Sequence, residues 1–264
     1  MLVHSRAGRW AACALFLVLF VPLFAVPLAV VVAASFATNW SGAFPSGPTG
    51  AHYSAAGADS LQALGTSLAT ALAASLLALT VGSWAALAAA SLRKRGKRLL
   101  DALFVLPVAV PSVVVGLSVL VAFSRPPVLL NGTRWIVILA HTVLVTAFAY
   151  QSVSAAIVRL DPMYEQAAAG LGARPAYVLW RIKLPLLLPS LTAAAGLCFA
   201  LSMGELSATM MLYPPDWTPL PVRIFAATDR GSLFTGAAVA VVLMGTTLLV
   251  LLGVSRIRTR ATFR

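Results

Sequence analysis

Uncharged apolar stretches alternate along this chain with short charged segments. Six windows stand out, at 10–36, 60–92, 102–124, 135–158, 184–204 and 231–255. A helix needs about 20 apolar residues to cross roughly 30 Å of hydrocarbon, so each window is long enough to span. The fifth is interrupted at Glu205 yet stays apolar as far as Tyr213. The second exceeds the length of a crossing, which places its N-terminal part at the interface. None alternates apolar and polar residues as a membrane β-strand does. The pattern predicts an all-α membrane protein, a single domain over 1–264 with six transmembrane helices. The spans fall at about 10–36, 62–92, 100–124, 135–158, 186–213 and 232–255, with a structured loop at 159–185. The first window follows Arg6 and Arg9 but is nearly twice the apolar core of about 7–15 residues found in signal peptides, so it reads as a retained anchor.

Composition agrees with the pattern. Apolar residues make up 60% of the 264 and charged residues only 10%, with a mean hydropathy of +0.93. A soluble domain covers its surface with about 25% charged residues, and disordered chains are poor in apolar ones. Both classes are excluded. Cys13 and Cys198 each lie within an apolar run and offer neither a disulfide framework nor a zinc spacing.

The net charge of +12 would suggest nucleic acid if it were gathered on one face. Instead it follows the loops. With the N-terminus taken as cytoplasmic, all of the 19 Lys and Arg residues except Arg125, Arg134, Arg223 and Arg230 fall on the cytoplasmic side. Such an excess sets orientation, so both termini are expected in the cytoplasm and no nucleic-acid partner is implied. The run at 93–98 serves as a topology determinant, with binding to anionic lipid heads as the alternative. The first outer loop, 37–59, is rich in Gly, Ser, Pro and Ala and is expected to hold little structure. No internal repeat is visible. The third span carries Pro107, Pro111 and Gly116, which suits either a kinked helix lining a pathway or ordinary proline content of a membrane helix.

The segment 159–185 has its own helical grammar. Asp161 can cap a first turn, Pro162 sits where a helix tolerates proline, and Glu165 favours the positive end of the dipole. Ala167, Ala168 and Ala169 continue the helix, Gly170 and Gly172 end it, and Pro175 can open a second short helix to about Lys183. Tyr177, Trp180 and Arg181 then share a face. The small alanine surface lets another backbone approach closely, as a docking knob requires; an amphipathic hairpin on the lipid surface is the alternative.

Gln166-Ala167-Ala168, then Gly172, then Ile182-x-Leu184-Pro185 closely resembles the EAA signature of permease subunits in bacterial binding-protein-dependent ABC importers. That signature runs Glu-Ala-Ala, three residues, Gly, nine residues, Ile-x-Leu-Pro. The spacing is the same, but the signature's Glu aligns with Gln166, and Glu165 stands one position earlier. The resemblance implies a type I ABC importer permease (MetI-like) bundle in the bacterial inner membrane. It implies a second permease subunit, identical or paralogous, two cytoplasmic ATP-binding subunits and an extracytoplasmic substrate-binding protein. Glu165, Gln166, Ala167, Ala168, Gly172, Ile182, Leu184 and Pro185 would then couple to the ATPase. The chain has no Gly-x-x-x-x-Gly-Lys-Ser/Thr loop, so ATP hydrolysis is assigned to the separate subunit, with no cofactor or metal of its own.

Within the fifth span, Cys198, Ser202, Glu205 and Thr209 fall at i, i+4, i+7 and i+11, one helical face. An ionisable residue in a span marks a functional candidate because its burial is costly. Ser202, Glu205 and Thr209 are therefore expected to line the pathway, with Glu205 hydrogen-bonded or facing a cation; a structural contact between helices is the alternative. Thr142, Thr146 and Tyr150 form a second polar stripe, beside a packed His141. The stretch 204–217, continuing through 220–225 and 228–231, looks most like permeases of 2-aminoethylphosphonate importers. Its core Gly-Glu-x-x-Ala-Thr is shared with molybdate, sulfate, iron and thiamine relatives. Arg223 and Arg230 would be rim charges toward the binding protein. A secondary transporter is the rival class. An intramembrane enzyme lacks support, for the sequence pattern shows no Ser–His pair, Asp pair or His-rich set.

Overall fold

A computed structural model describes residues 6–42 and 44–262, and side chains within 8–256. The side chains of Arg6, Arg258, Arg260 and Arg264, which enter the charge count above, lie outside it. The elements are α1 (Arg6–Phe20), a π-helical turn (Val21–Ala25), α2 (Val26–Ser35), β1 (Ala37–Asn39), β2 (Ser46–Pro48), α3 (Ala51–Ser91), α4 (Lys94–Ala109) and α5 (Ser112–Ala122). They continue with α6 (Arg134–Val158), α7 (Met163–Gly170), α8 (Pro175–Val178), a second π-helical turn (Leu179–Lys183), α9 (Leu184–Met203), α10 (Ser207–Leu212), α11 (Leu220–Asp229) and α12 (Leu233–Thr262). Among the described residues, five helical stretches are long and apolar enough to cross a membrane: Gly8–Ser35, Ala51–Ser91, Arg134–Val158, Pro175–Met203 and Leu233–Arg256. A sixth requires α4 and α5 to count as one span, and these meet at 104°. The expected kink in the third span is thus a sharp break, at Val110 and Pro111.

The chain divides into two compact units, 1–61 with 223–242 and 62–222 with 243–264. In the first, the segment expected to hold little structure contains a strand pair and the start of α3. β1 pairs antiparallel with β2, and Thr49 Oγ1 accepts from Ala51 N–H (3.1 Å) at the start of α3. Tyr53 donates to Ser35 Oγ (2.8 Å), and His52 Nε2 lies 2.9 Å from the Ala37 carbonyl. The alternation that marks a strand cannot be read from three residues, which is why composition alone suggested a loop. Gly57, at φ 54°, breaks the helix near its start.

The second unit is built around α6, buried along most of its length and packed against α4, α5, α9 and α10. The part of α3 within it follows the packing logic of membranes. Ala71, Ala74, Ala78, Gly82, Ala86 and Ala89 are buried, while Leu72, Leu76, Val81 and Trp84 face outward. Lipid solvates leucine as well as protein does, so close backbone approach, available only to small residues, decides which face turns inward. A Cβ on Gly82 would lie 2.8 Å from the Tyr150 backbone nitrogen, and one on Gly116 2.8 Å from Ala208 Cα.

Gly116→Val and Gly82→Val are each expected to destabilise the protein by about 1–3 kcal/mol through overpacking. The check is a lowered thermal unfolding midpoint in detergent, with Gly253→Val, where the added Cβ meets nothing within 4 Å, left unchanged.

Candidate translocation site and coupling hairpin

Helix α9 stops at Met203 and resumes as α10 at Ser207, so the single continuous face expected from Cys198 to Thr209 does not exist. The interruption follows from Gly204, which favours a helix end, and Glu205, whose carboxylate serves the next helix. Glu205 Oε1 accepts from Ala208 N–H (2.8 Å), capping α10. Thr209 Oγ1 donates to the Glu205 carbonyl (2.9 Å). His141 on α6 closes the arrangement, with Nδ1 2.7 Å from Ser202 Oγ and Nε2 2.8 Å from Thr209 Oγ1. Since the Thr209 proton goes to the Glu205 carbonyl, Thr209 accepts from Nε2–H, and Nδ1 accepts from the Ser202 hydroxyl. One imidazole ring thereby ties the last turn before the break to the first turn after it.

The break opens on a cavity of about 340 Å³ lined by Pro107, Pro111, His141, Phe148, Ser202 and Glu205, among others. The break between α4 and α5 therefore faces the break between α9 and α10. Of the expected pathway residues, Ser202 and Glu205 line this cavity. Thr209 is fully buried behind it, bonded to His141. Glu205 is half-buried and makes no ion pair among the described residues. The expected polar stripe on α6 turns its hydroxyls elsewhere: Thr142 and Thr146 donate to carbonyls of their own helix, and Tyr150 donates to Asp101 on α4 while stacking on Phe104. The bonds of His141 and Asp101 leave no local mark in the sequence, for a lone histidine has no periodic partner and Asp101 sits beside a basic run.

The hairpin at 159–185 departs from expectation in one respect. The arm opening at Pro175 runs without interruption into the span, giving one helix from Pro175 to Met203. Proline at 185 lacks a donor and would crowd the carbonyl four residues back; the π-helical turn at Leu179–Lys183 widens the helix there. The other arm forms as expected. Asp161 Oδ1 accepts from Met163 N–H (2.8 Å). Gly172, at φ 79°, ends α7 with Ala173 N–H bonded to the Ala168 carbonyl (3.0 Å) and Gly172 N–H to that of Ala169 (2.9 Å), a Schellman ending that only glycine adopts without strain. Ala168 and Val178 are the buried residues of the two arms. Lys183 Nζ lies 2.8 Å from Glu165 Oε2, so the carboxylate one position before Gln166 closes the hairpin. Gln166, Ala167 and Pro185 are exposed; Ile182 and Leu184 are half-buried, Ile182 facing the inside of the hairpin. Leu171 at the tip is 89% exposed.

On the other flank of the unit, Trp217 Nε1–H donates to Thr70 Oγ1 (3.0 Å) and Leu220 N–H to Ser67 Oγ (2.8 Å). The Arg134 guanidinium lies 5.6 Å from the Trp217 ring and 5.2 Å from that of Trp135. Within the other unit, Arg223 pairs with Asp59 (3.4 Å), and Arg230 is exposed. Arg223, expected at the rim, lies on α11, and Arg230 directly follows it.

Broken and continuous apolar helices with an Ala-rich hairpin between two of them fit an importer permease. Residues 78–260 match the family described as "Binding-protein-dependent transport system inner membrane component", and the chain belongs to that family, the multi-pass permease subunits of ABC importers. It is 46% identical over 261 residues to the "Putative 2-aminoethylphosphonate transport system permease protein PhnV" of Salmonella typhimurium, covering 98% of each chain. It is 33% identical over 184 residues to the "Molybdenum transport system permease protein ModB" of Mycobacterium tuberculosis, covering 64% of this chain and 69% of that one. Among solved structures it resembles a chain of a bacterial alginate ABC transporter in complex with an alginate-bound periplasmic protein (TM-score 0.76, 17% identity, 97% and 96% coverage). It also resembles a chain of the inward-facing MetNI methionine ABC transporter (TM-score 0.67, 16% identity, 76% and 95% coverage).

His141→Ala removes the partner of two buried hydroxyls and is expected to cost about 1–3 kcal/mol. Thermal unfolding in detergent reads the loss, and His141→Gln, which keeps one donor and one acceptor, should recover part of it.

Proposed function

We propose that this chain crosses the bacterial inner membrane six times, with α4 and α5 forming one broken crossing and both termini in the cytoplasm. The spans are those expected above, and the hairpin between α6 and α9 docks as a coupling helix in a cytoplasmic ATP-binding subunit. Two such bundles, identical or paralogous, enclose the pathway, and two ATP-binding subunits close to drive it. An extracytoplasmic binding protein delivers the cargo. ATP hydrolysis belongs to the separate subunit.

The observation that carries this reading is the hairpin itself. It is capped at its start, ended by Gly172, closed by Glu165 and Lys183, and joined without a break to a 29-residue helix that reaches the Glu205 cavity. Ala168 packs inside the hairpin, so the docking face is supplied by Gln166, Ala167 and Leu171, which are exposed. Glu165, Gly172, Ile182, Leu184 and Pro185 hold that face in position.

The cargo we propose is 2-aminoethylphosphonate, supported by the 46% identity over nearly the whole chain to a permease named for that substrate. Ser202 and Glu205 line its path, the carboxylate meeting the ammonium group, and Thr209 positions the break. Molybdate is the second reading, supported by a lower identity over part of the chain.

Vesicles holding this chain with its ATP-binding subunit and binding protein are expected to accumulate labelled 2-aminoethylphosphonate only when ATP is present, and to ignore molybdate and ferric iron. Uptake driven by an ion gradient without ATP would assign a secondary transporter instead. Ala167→Trp, on the exposed docking face, is expected to leave membrane insertion intact and to reduce co-purification of the ATP-binding subunit about ten-fold, the loss of roughly 1.4 kcal/mol of interface. Full uptake by that variant would refute the docking assignment.

A further inference from the structure

The face of α6 that lines the Glu205 cavity does not end there. Eleven residues make three helical turns and return to the same face. His141 and Phe148 of the first cavity are thus followed, eleven residues on, by Ser152 and Arg159. Those two line a second cavity, of about 250 Å³. Helix α9 repeats the relation, with Leu201 at the first cavity and Ser190 at the second. The two cavities lie on one seam between α6 and α9, about 16 Å apart by helical rise.

Their chemistry is opposite. The first presents the Glu205 carboxylate, and the second is lined by Arg159, which is exposed, and by the half-buried Ser152 and Ser190. Leu144, Phe148 and Leu201 stand at the first cavity's apolar wall. Thr142 and Thr146 on the same helix satisfy their hydroxyls on its carbonyls. Among the described residues, the side chains of Ser152, Arg159 and Ser190 have no hydrogen-bond or ion-pair partner. The second cavity therefore holds three uncommitted polar groups, all suited to an anion: a planar fork of donors and two hydroxyls.

We propose that the cavity at Ser152, Arg159 and Ser190 is the release station for the phosphono group of a zwitterionic aminophosphonate. The proposal rests on the cargo and orientation given above, which put Arg159 at the cytoplasmic end of the seam. A two-carbon aminophosphonate measures about 6 Å end to end from ordinary bond lengths, so it cannot touch Glu205 and Arg159 together. Occupancy is sequential. The ammonium is held first at Glu205, and the phosphono group is received at Arg159 after the apolar stretch. A charge-assisted, two-pronged contact compensates the dianion for the water it has shed.

The test uses the full complex in vesicles of neutral lipid and in vesicles containing anionic lipid. For Arg159→Gln, the 2-aminoethylphosphonate moved per ATP hydrolysed is expected to fall about ten-fold, the scale of one lost charged hydrogen bond. Arg159→Lys should retain most of it. Methylphosphonate trapped inside the vesicles should occupy the station and slow wild-type uptake, and should not slow that of Arg159→Gln. An unchanged ratio of cargo to ATP overturns the proposal, including the case where a folding defect lowers both together. A loss confined to anionic vesicles overturns it by assigning Arg159 to phospholipid heads. Failure of the cargo reading looks different: wild-type vesicles would take up no 2-aminoethylphosphonate at all, which removes the ground for the release station as well.

Discussion

A polypeptide that interrupts a helix inside a membrane must satisfy the freed backbone groups from within itself, because hydrocarbon offers no hydrogen bonds. This chain does so at two places that face one another. At Val110 and Pro111 the missing proline donor limits the loss, and the Pro111 carbonyl accepts from Val114 N–H (2.9 Å) and Val115 N–H (3.2 Å). At 204–206 the Glu205 carboxylate, the Thr209 hydroxyl and the His141 ring carry out the repair. The repairs fix the breaks in position, and the space left between them is the cavity. Glu205 is therefore structural and available at once: Oε1 is engaged in capping, and Oε2 has no hydrogen-bond partner among the described residues.

The rest of the second unit is arranged so that these breaks can sit close together. Large apolar residues on α3 are turned outward, and the contact with α6 is made by alanines and Gly82. Gly116 does the same for α5 against α10, bringing the two short helices beyond the breaks into backbone contact. Without those small residues, the breaks would be held apart by side chains. Dispersion at close approach supplies the cohesion that the hydrophobic effect cannot supply in lipid.

The sequence made the uninterrupted elements legible and blurred the interrupted ones. The window 135–158 differs from α6 by one residue, since twenty-odd uncharged residues with no proline or glycine admit one reading. In the third span Pro107 and Pro111 were both visible, yet Pro107 stays inside α4 and the chain bends only before Pro111. Proline identity does not reveal which carbonyls neighbours will satisfy. The second short helix, expected to run only to about Lys183, continues into α9 instead, because a π-helical turn accommodates Pro185. At the fifth span, the i, i+4, i+7 and i+11 spacing of Cys198, Ser202, Glu205 and Thr209 predicted one continuous face, which the break at 204–206 interrupts. Ser202 and Thr209 are joined instead through His141 across that break, by long-range bonds with no trace in local spacing.

The departure from the family's signature at Gln166 also finds a physical account. Glu165 and Lys183 are partly exposed, and an ion pair of that kind contributes only about 0–1 kcal/mol. The rigidity of the hairpin must come chiefly from elsewhere, and the Schellman ending at Gly172 and the burial of Ala168 and Val178 provide it. A charge displaced by one position is therefore tolerable, because the pair sets the closure of the two arms and does not hold them up. Under the proposed coupling, a push on the exposed face at Ala167 reaches a helix of 29 residues, about 43 Å of stiff rod. That rod ends at Met203, and one residue before its end His141 joins Ser202 to α6 and, through Thr209, to α10. A displacement delivered there must either carry α6 along or strain the two hydrogen bonds of one imidazole. On that proposal a movement of the hairpin relative to α6 would change the shape of the cavity at Glu205, which is the mechanical requirement for alternating access.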